Sequence, residues 1–471
     1  MATAERFDAI VIGGGPAGYT GAIRLAQLGQ RTLCVEKEDL GGVCLNWGCI
    51  PSKALIDTAH MNHKLKDLEA VGLVGMGAPR VEVAKLQAWK NSIVKKLVSG
   101  VGSLLKSNGA STVFGTARIT GPNSVSVALR EGGEKQYEAK AIVIATGSST
   151  IGLPSLPFDG RTIVGAREAV SLDAIPKRLL VLGGGVIGLE LGSMYQNFGA
   201  QVTVVEALPQ LLTGVDKDCV AVAQRSLAKR GMTILVNHKA MGHERTKTGI
   251  AVKVVDDKGV ASTIEVDVVL VAIGMAPNSK GLGLETVGIT PDAKGFIATN
   301  EVGRTNVPSI YAVGDVSGAP LLAHKAFKEA VVTAEVIAGH RSAKDWKTIP
   351  AAVFTDPEIA YAGLTEEEAV RKGREVKVGR MPFAASGRAM AMRETEGFVK
   401  TVMDKSTHEI LGVHIVGPRA SDMISEAALG IEMGAFAEDI ALTIHPHPTL
   451  GEAMMISSEH ALGQATDILN R

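Results

Sequence analysis

Residues 9–18 read AIVIGGGPAG and residues 179–188 read LLVLGGGVIG, and these two similar stretches decide the fold. Each is an apolar run that ends in glycines and leads into a helical pattern, and each is followed by a second apolar strand that closes on a glutamate. Glu206 follows Glu36 by 170 residues, and the glycines of the two copies have the same offset. One β-α-β unit is therefore used twice, and its all-apolar strands predict parallel sheets covered on both faces.

The glycine pattern of the first copy is typical of a dinucleotide-binding turn. Gly13, Gly15 and Gly18 permit a tight turn, a close backbone approach to a pyrophosphate and close packing of helix on strand. The following helix N-terminus favours the phosphate charge. Glu36 stands where an acid can accept hydrogen bonds from a ribose. The pattern predicts a bound dinucleotide, with a purely structural turn as the alternative.

The second copy predicts a second dinucleotide, since Gly183, Gly185, Gly188 and Glu206 meet the same conditions. An acid at the end of the second strand favours a free 2′-hydroxyl. Residues 207–210, ALPQ, include no Arg or Lys for a 2′-phosphate, so NAD is preferred over NADP. A vestigial structural repeat is the alternative.

Further along the chain, Asp315 ends another apolar strand, the place where ligands of open α/β sheets lie. A carboxylate at this position could bind the ribityl chain of a flavin. The alternative interpretation is an Asp that caps a helix N-terminus.

Linkers and changes of pattern divide the 471 residues into three domains in four segments. We predict an α/β fold with two Rossmann-like dinucleotide-binding domains and a C-terminal α+β domain. Residues 1–150 form the first part of the first domain, residues 151–278 an inserted second domain, residues 279–348 the second part of the first domain, and residues 349–471 the C-terminal domain.

Composition argues against several classes of protein. Lys plus Arg and Asp plus Glu both number 49, so the chain has no general electrostatic reason to bind nucleic acid or anionic membrane. No apolar run reaches the ~18 residues of a membrane helix, and the N-terminus lacks a secretory pattern. Of the four cysteines, Cys34 and Cys219 are predicted core residues. We expect a cytoplasmic protein, in which a disulfide is more often catalytic than structural.

The other two cysteines lie in residues 41–53, GGVCLNWGCIPSK. Zinc would need four ligands, and no other Cys or His pair lies near Cys44 and Cys49 in sequence. Two inert thiols are a further alternative, but a disulfide that opens and closes fits better. Pro51 suits a helix start, which places Cys49 where the helix dipole lowers a thiol pKa. Lys53 lies on the same predicted helix, where an exposed lysine is the default interpretation.

Residues 444–452, IHPHPTLGE, contain a candidate base. Prolines flank His447 and restrict its backbone, and Glu452 follows in a predicted helix, where it can orient an imidazole. Dithiol oxidation needs a base, because the thiolate is the form that attacks a disulfide. His445 competes for this role, and the residues alone do not choose between the two histidines.

Taken together, GGVCLNWGCIPSKAL, GGGVIGLE, YAVGD, LAHKA and HPHPTLGE resemble the pyridine-nucleotide disulfide oxidoreductases over the whole chain. The resemblance implies a glutathione reductase-like fold, one tightly but non-covalently bound FAD per subunit, NAD as co-substrate and no metal. It also implies a homodimer whose catalytic histidine comes from the other subunit. The motifs are most similar to members that oxidise dihydrolipoyl groups with NAD⁺ through a disulfide and FAD. The implied partners are therefore the lipoyl domains and E2 core of 2-oxoacid dehydrogenase complexes, or the lipoyl carrier protein of glycine cleavage.

The resemblance also implies a role for individual residues. The implied FAD contacts, with His324 beside them, are Gly13, Gly15, Gly18, Glu36, Lys53, Gly115, Thr146, Gly147, Asp315 and Ala323. The implied residues of the NAD side, where Glu190 pairs with Lys53, are Gly183, Gly185, Gly188, Glu190, Glu206 and Gly274. The implied catalytic residues are Cys44, which exchanges with substrate, Cys49, which faces the flavin, the base His447 and its partner Glu452. Trp47, where valine is common, and Gly451 depart from the family pattern without removing a reactive group.

Overall fold

A computed structural model of the chain describes residues 4–75 and 79–470. None of the helices in these two ranges combines the length and the apolar character that crossing a bilayer requires.

The first part of the chain builds a sheet whose centre is parallel. Its elements are β1 (Glu5–Ile12), α1 (Pro16–Gln27), β2 (Thr32–Glu36), α2 (Gly42–Asn46), α3 (Cys49–Lys64), a 3-10 helix (Leu65–Val71), α4 (Val83–Ser107), β3 (Ser111–Gly121), β4 (Ser124–Leu129), β5 (Glu134–Ile144) and β6 (Ser148–Thr150). β1 lies between β2 and β5, and all three strands are parallel. The first half of β3 extends this parallel sheet beside β2, and its second half turns into an antiparallel meander with β4 and β5.

The next segment builds a second parallel sheet. Its elements are β7 (Ile163–Val164), α5 (Ala166–Ala169), β8 (Arg178–Leu182), α6 (Val186–Asn197), β9 (Gln201–Val205), α7 (Lys217–Lys229), β10 (Thr233–Leu235), β11 (His238–Arg245), β12 (Ile250–Asp256), β13 (Ala261–Val266), β14 (Val268–Val271) and β15 (Met275–Pro277). The strand order of the parallel sheet is β10-β9-β8-β14-β7, while β11, β12 and β13 form a separate antiparallel sheet.

The chain then returns to the first sheet. This segment contains a 3-10 helix (Leu284–Val287), β16 (Ile310–Ala312), a second 3-10 helix (Gly314–Ser317) and α8 (Ala323–Ile337). β16 pairs in parallel with β5, so the second sheet is an insertion into the first unit. The strands that lead into and out of the insertion, β6 and β15, pair with each other in an antiparallel ribbon. The boundaries after residues 150, 278 and 348 stay a prediction.

The C-terminal segment is an antiparallel sheet covered by helices. Its elements are β17 (Ala351–Val353), β18 (Glu358–Gly363), α9 (Glu366–Arg371), β19 (Val376–Pro382), a 3-10 helix (Phe383–Ala385), α10 (Gly387–Met392), β20 (Phe398–Asp404), β21 (Ile410–Gly417), α11 (Ala420–Met433), α12 (Ala437–Ala441) and α13 (Glu452–Leu462). The strand order is β17-β18-β21-β20-β19. β20 and β21 are neighbours in this sheet and pair in an antiparallel manner.

The central strands of the first sheet are buried on both faces. Ile10 and Ile142 belong to one apolar cluster, while Ala9 and Val11 of the same sheet belong to another cluster on the opposite face. This alternation explains why the strands read as continuous apolar runs. Cys34 lies fully buried in one of these clusters. The predicted α/β fold, with two Rossmann-like domains and a C-terminal α+β domain, is confirmed.

Candidate redox and dinucleotide sites

The first glycine turn joins β1 to α1 in a shape that requires glycine. Gly13 has φ +107°, in the region that favours glycine, and its N–H donates to the carbonyl of Val35 at 2.8 Å. A side chain at Gly18 would overlap the carbonyl oxygen of Gly13. α1 starts directly after Gly15, so its first N–H groups are available to an anion. The residues present therefore fit the pyrophosphate of a dinucleotide.

Glu36 has a role that the sequence did not predict. It is 7% exposed, and its Oε2 accepts the N–H of Gly14 at 2.6 Å. Its Oε1 accepts the N–H of Glu38, also at 2.6 Å. The carboxylate thus holds the glycine turn against the end of β2. Each oxygen retains a further lone pair, which leaves acceptor capacity for a ribose.

The second copy repeats this arrangement in detail. Gly183 has φ +104°, and Oε2 of Glu206 accepts the N–H of Gly184 at 2.6 Å. Oε1 of Glu206 accepts the N–H of Leu208 at 2.8 Å. A side chain at Gly188 would overlap the carbonyl oxygen of Gly183, as in the first copy. The second turn has kept a dinucleotide-binding shape, which argues against a vestigial repeat.

Residues 41–53, which carry Cys44 and Cys49 and are called the redox segment below, pack directly against the first glycine turn. The N–H of Gly41 donates to the carbonyl of Gly14 at 2.8 Å. Gly42 lies so close that a β-carbon on it would be 2.7 Å from the Cα of Gly15. α2, which carries Cys44, and the start of α3 are thereby fixed beside the predicted FAD turn.

Cys49 is the first residue of α3, as predicted from Pro51. Both Cys44 and Cys49 are half-buried free thiols in this structure. A hydrogen bond from Cys44, together with the positive charge of Lys53 and the helix start, lowers the pKa of Cys49 to about 7 despite its burial. Donation to Cys49, with burial, raises the pKa of Cys44. The pair therefore shares one proton, with the negative charge on Cys49.

Lys53 is not a free surface lysine. Its Nζ lies 2.6 Å from Oε2 of Glu190, which is 4% exposed on α6. The other oxygen of Glu190 accepts the N–H of Phe354 at 2.9 Å, and Nζ of Lys53 lies 4.8 Å from the centre of the Phe354 ring. The structure brings together the pair implied by the resemblance and adds Phe354, which no local sequence pattern marked.

Trp47, between the two cysteines, makes an interdomain contact that the sequence also did not reveal. The guanidinium of Arg167, on α5 of the inserted unit, lies 3.9 Å from the centre of its ring. Arg167 also pairs with Glu38 at 3.1 Å, directly beyond β2. The turn between Cys44 and Cys49 is thus held from the side of the second sheet.

Asp315 lies beyond the end of β16, in a 3-10 helix, and its Oδ2 accepts the hydroxyl of Ser148 at 2.6 Å. It makes no side-chain cap to a helix N–H within the described residues. Thr146 donates its hydroxyl to the carbonyl of Asn278 at 2.8 Å, and Asn278 returns a bond to the carbonyl of Thr146. Gly147, with φ +68°, accepts the N–H of Asn278. Hydrogen bonds therefore join Thr146 and Gly147 to Asn278 across the β6–β15 ribbon.

The other predicted cofactor residues are more dispersed. Gly115 lies in β3, close to the carbonyl of Ala128 in β4. Ala323 is the first residue of α8, and the neighbouring His324 contacts the carbonyl of Pro350 through Nε2 at 2.6 Å. The remaining predicted residue lies on the NAD side: Gly274, with φ +140°, accepts the N–H of Ile151 at 3.0 Å.

The two candidate bases differ in exposure and in hydrogen bonding. The side chain of His445 is 7% exposed, and its two ring nitrogens contact Glu426 and the carbonyl of Thr443, each at 2.8 Å. The side chain of His447 is 82% exposed, and its Nδ1 lies 2.8 Å from Oε1 of Glu452. Nε2 of His447 makes no hydrogen bond to any residue in the described ranges, so this nitrogen is the one open to substrate.

Glu452, at the start of α13, is prepared to orient His447. Burial opposes its ionisation, but the N–H of Thr449 at 2.7 Å and the neighbouring His447 outweigh burial and lower the pKa of Glu452. Within the described residues of one chain, no hydrogen bond or ion pair joins His447 to Cys44 or Cys49.

The fold and the site define a protein with two dinucleotide-binding units and a dithiol at a helix start. Comparison with known proteins agrees. Residues 7–330 match the pyridine nucleotide-disulphide oxidoreductases, and residues 349–457 match the dimerisation domain of the same family. The chain belongs to this family, whose members use pyridine nucleotides and disulphides.

Curated relatives and solved structures match over nearly the full chain. The chain is 46% identical to the dihydrolipoyl dehydrogenase of Thermus scotoductus, over 99% of this chain and 100% of that protein. It is also 46% identical to the dihydrolipoyl dehydrogenase of Geobacillus stearothermophilus, over 98% of each. Among solved structures it resembles LpdA from Mycobacterium tuberculosis, with a TM-score of 0.89, 28% identity and coverage of 97% of this chain and 99% of that one.

Proposed function

We propose that this protein is a dihydrolipoyl dehydrogenase, which converts dihydrolipoamide and NAD⁺ to lipoamide, NADH and a proton. The proposal is carried by the dithiol of Cys44 and Cys49, which is fixed against a dinucleotide turn. The hydrogen bond from Cys44, the positive charge of Lys53 and the start of α3 favour a thiolate at Cys49. Relatives 46% identical over almost their whole length carry this name, which supports the choice of substrate.

The cofactors follow from the two turns. FAD in the first unit would be held at Gly13, Gly15, Gly18 and Glu36. NAD in the second unit would be held at the corresponding residues, which are Gly183, Gly185, Gly188 and Glu206. FAD, when bound, supplies a two-electron carrier between sulfur chemistry and hydride transfer to nicotinamide. In the second unit Glu206 follows β9, and its carboxylate would repel a 2′-phosphate, so NAD is the proposed co-substrate.

Cys44 and Cys49 have different roles in the exchange with substrate. In the oxidised enzyme they form a disulfide, and a substrate thiolate attacks the sulfur of Cys44, so that Cys49 leaves as the thiolate. The second substrate thiol then displaces Cys44 and closes the lipoamide disulfide. The substrate has lost two electrons and two protons, and the enzyme holds a dithiol. Re-forming the enzyme disulfide returns the electron pair, which reduces NAD⁺.

His447 accepts the proton of the attacking substrate thiol through its open Nε2. Glu452 keeps the proton of the imidazole on Nδ1 and stabilises the imidazolium that forms. Because neither a hydrogen bond nor an ion pair joins His447 to Cys44 or Cys49 among the described residues of one chain, we propose that His447 of the partner subunit completes each site. Several apolar side chains of the C-terminal domain are exposed in the single chain and are available for such a dimer, among them Leu429, Met433, Leu442 and Ile444.

The proposed partners are the lipoyl domains and E2 core of 2-oxoacid dehydrogenase complexes, or the lipoyl carrier protein of glycine cleavage. The expectation of no nucleic-acid or membrane partner rests on the balanced charge, 49 basic against 49 acidic residues. The proposed location is the cytoplasm, where reduced thiols are maintained.

The test is Cys44→Ser. We expect the purified variant to lose dihydrolipoamide-dependent NADH formation, because no sulfur remains to accept the attack. The unsubstituted enzyme, assayed in parallel with dihydrolipoamide and with oxidised glutathione, should use the former. A variant that oxidises dihydrolipoamide at the parental rate would refute the proposed path, and a preference for glutathione would point to another member of the family.

A further inference from the structure

The Glu190 carboxylate is held from two sides by different parts of the chain. Its Oε2 lies 2.6 Å from Nζ of Lys53 on α3, and its Oε1 accepts the N–H of Phe354 at 2.9 Å. Glu190 is only 4% exposed, so neither bond faces strong competition from water. The Phe354 N–H therefore takes up part of the negative charge that Lys53 would otherwise balance alone.

Phe354 also contacts the other member of the pair. Its ring centre lies 4.8 Å from Nζ of Lys53, within the range of a cation–π interaction. The side chain of Lys53 is 31% exposed, and the ring covers part of it. One residue of the C-terminal domain thus supplies a donor to the acid and an aromatic face to the base.

The segment that carries Phe354 is anchored independently of this pair. Val353, at the end of β17, is 1% exposed, and Thr355 is fully buried with its hydroxyl donating to the carbonyl of Pro357 at 2.8 Å. Asp356 forms an ion pair with Arg230, the residue directly after α7. Phe354 therefore acts on Lys53 and Glu190 from a fixed position.

We propose that Phe354 is a positioning residue for the ion pair of Lys53 and Glu190. Its N–H and its ring fix these two side chains beside Cys49, so the C-terminal domain sets the charge next to the reactive thiol. The inference rests on the proposed function, in which Cys49 carries the negative charge. Phe354 adds a contact from the C-terminal domain to the ion pair that joins the two dinucleotide units.

The charged and titratable groups around Cys49 give the sign of the effect. Cys44 on α2, Lys53 on α3 and Glu190 on α6 act on the pKa of Cys49. Burial, with a smaller contribution from the two thiols, raises the pKa of Tyr19 on α1. Lys53 lowers the pKa of Cys49 more than Glu190 raises it. Loss of the Phe354 ring would admit water to the pair and screen both charges, so the net lowering would shrink and the thiol pKa would rise.

The experiment measures Cys49 alone. In a Cys44→Ala background, the anaerobically reduced holoenzyme is alkylated with iodoacetamide over a range of pH, and the modified cysteine is identified by mass spectrometry. Cys34 and Cys219 are fully buried and should not compete. Phe354→Leu should move the inflection upward by about half a pKa unit, which is about threefold less thiolate below the inflection. Phe354→Tyr, which keeps the ring, should restore the parental profile.

Phe398→Leu is the matched control. Phe398 packs against the same apolar cluster as Phe354 and also carries a cation over its ring, Arg380 at 5.5 Å. This variant should lower the Tm without moving the inflection. If Phe354→Leu lowers the Tm but leaves the inflection in place, or if both variants move it equally, Phe354 only packs and the proposal is wrong.

A second variant covers a folding failure, and the choice of readout separates this inference from the proposed function. If Phe354→Leu does not fold, Phe354→Met gives the same readout with a longer apolar side chain. Alkylation needs no dihydrolipoamide, so a failure of the proposed function would appear as absent substrate oxidation, whereas a failure of this inference would appear as an unmoved inflection.

Discussion

At the scale of single residues, hydrogen bonding separates two histidines that the sequence could not separate. We expect His447→Gln to lower the turnover of dihydrolipoamide by about 10²-fold or more, because the variant cannot accept a proton at Nε2. His445→Gln should have a much smaller effect, since both nitrogens of His445 are already bonded within the fold. Steady-state NADH formation measures both, and a larger loss in His445→Gln would reverse the assignment.

The Cys44–Cys49 pair predicts a pH dependence for the reduced enzyme. Cys49 has a pKa of about 7, so it is a thiol below that pH and a nucleophilic thiolate above it. The alkylation rate of the reduced enzyme should therefore rise with pH through an inflection near 7. Cys44→Ala removes the hydrogen bond that favours the thiolate, and its inflection should lie at higher pH. An inflection in the parental enzyme at the ordinary value of ~8.5 would contradict the assigned environment.

Local spacing was enough to predict that Cys49 begins a helix, because Pro51 favours the first turn of a helix. It could not reveal Phe354 or Arg167, which reach the redox segment from more than 100 residues away in sequence. The second role of Glu36 was hidden for a related reason. The acceptor of the Gly14 N–H depends on where β2 ends relative to the turn, and only the folded chain sets that position.

At the scale of elements, the contact between α2 and the first glycine turn depends on two glycines. We expect Gly42→Ala to lower flavin content and Tm, because the new β-carbon would lie 2.7 Å from the Cα of Gly15 and the residue has φ +55°. Gly29→Ala is the control, since Gly29 has φ +78° but nothing within 4 Å of its added β-carbon. Flavin absorbance per protein should fall only in Gly42→Ala, and equal losses in the two variants would mean that backbone strain alone is responsible.

α7 links the inserted unit to the C-terminal domain, and the ion pair of Arg230 with Asp356 is one of its anchors. Burial opposes ionisation of Asp356, but Arg230 and His60 outweigh burial and lower the pKa of this carboxyl. The stabilisation is therefore fully present above the unfolded pKa of ~3.9 and is lost as the pH falls through the lower folded pKa. Asp356→Asn should cost about 1–3 kcal/mol of unfolding free energy at neutral pH.

This cost can be checked by denaturant unfolding at two pH values. The difference between Asp356→Asn and the parental protein should be large at neutral pH and should shrink in acid. A difference that persists unchanged below the folded pKa would show that the amide disturbs packing rather than charge.

Predictability also differed among elements. The strands at the centre of the first sheet were evident because they are buried on both faces and read as continuous apolar runs. The β6–β15 ribbon was missed because its pairing joins residues 148–150 to residues 275–277, with an entire unit between them. The antiparallel pairing of β3 with β4 and of β4 with β5 was not predicted, nor was the 25-residue helix α4, because the exposed faces of these elements weaken the apolar pattern.

At the scale of the whole molecule, the proposed homodimer can be broken at its apolar surface. Leu429 and Met433 on α11 are 61% and 76% exposed in the single chain. We expect Met433→Glu to convert a dimer to a monomer in analytical ultracentrifugation and to abolish dihydrolipoamide oxidation while FAD is retained. Val260→Glu, at a residue 64% exposed in the hairpin between β12 and β13, should leave both properties unchanged. An active monomeric variant would show that one chain completes its own site.

The duplicated β-α-β unit predicted most of the architecture, because an equal spacing of glycines and glutamates survives in the sequence. The assembly was not predictable in this way. Whether His447 approaches a cysteine of its own or of another chain depends on a docking surface, which leaves only scattered exposed apolar residues in the sequence.

The most direct test of electron transfer through Cys44 and Cys49 is an anaerobic titration of the oxidised holoenzyme. Dihydrolipoamide is added in a single equivalent, the accessible thiols are counted on Cys44 and Cys49, and NAD⁺ is then added while NADH is followed by absorbance. We expect both cysteines to become thiols and both to return to the disulfide as an equivalent amount of NADH forms. Formation of NADH while Cys44 and Cys49 remain oxidised throughout would contradict it.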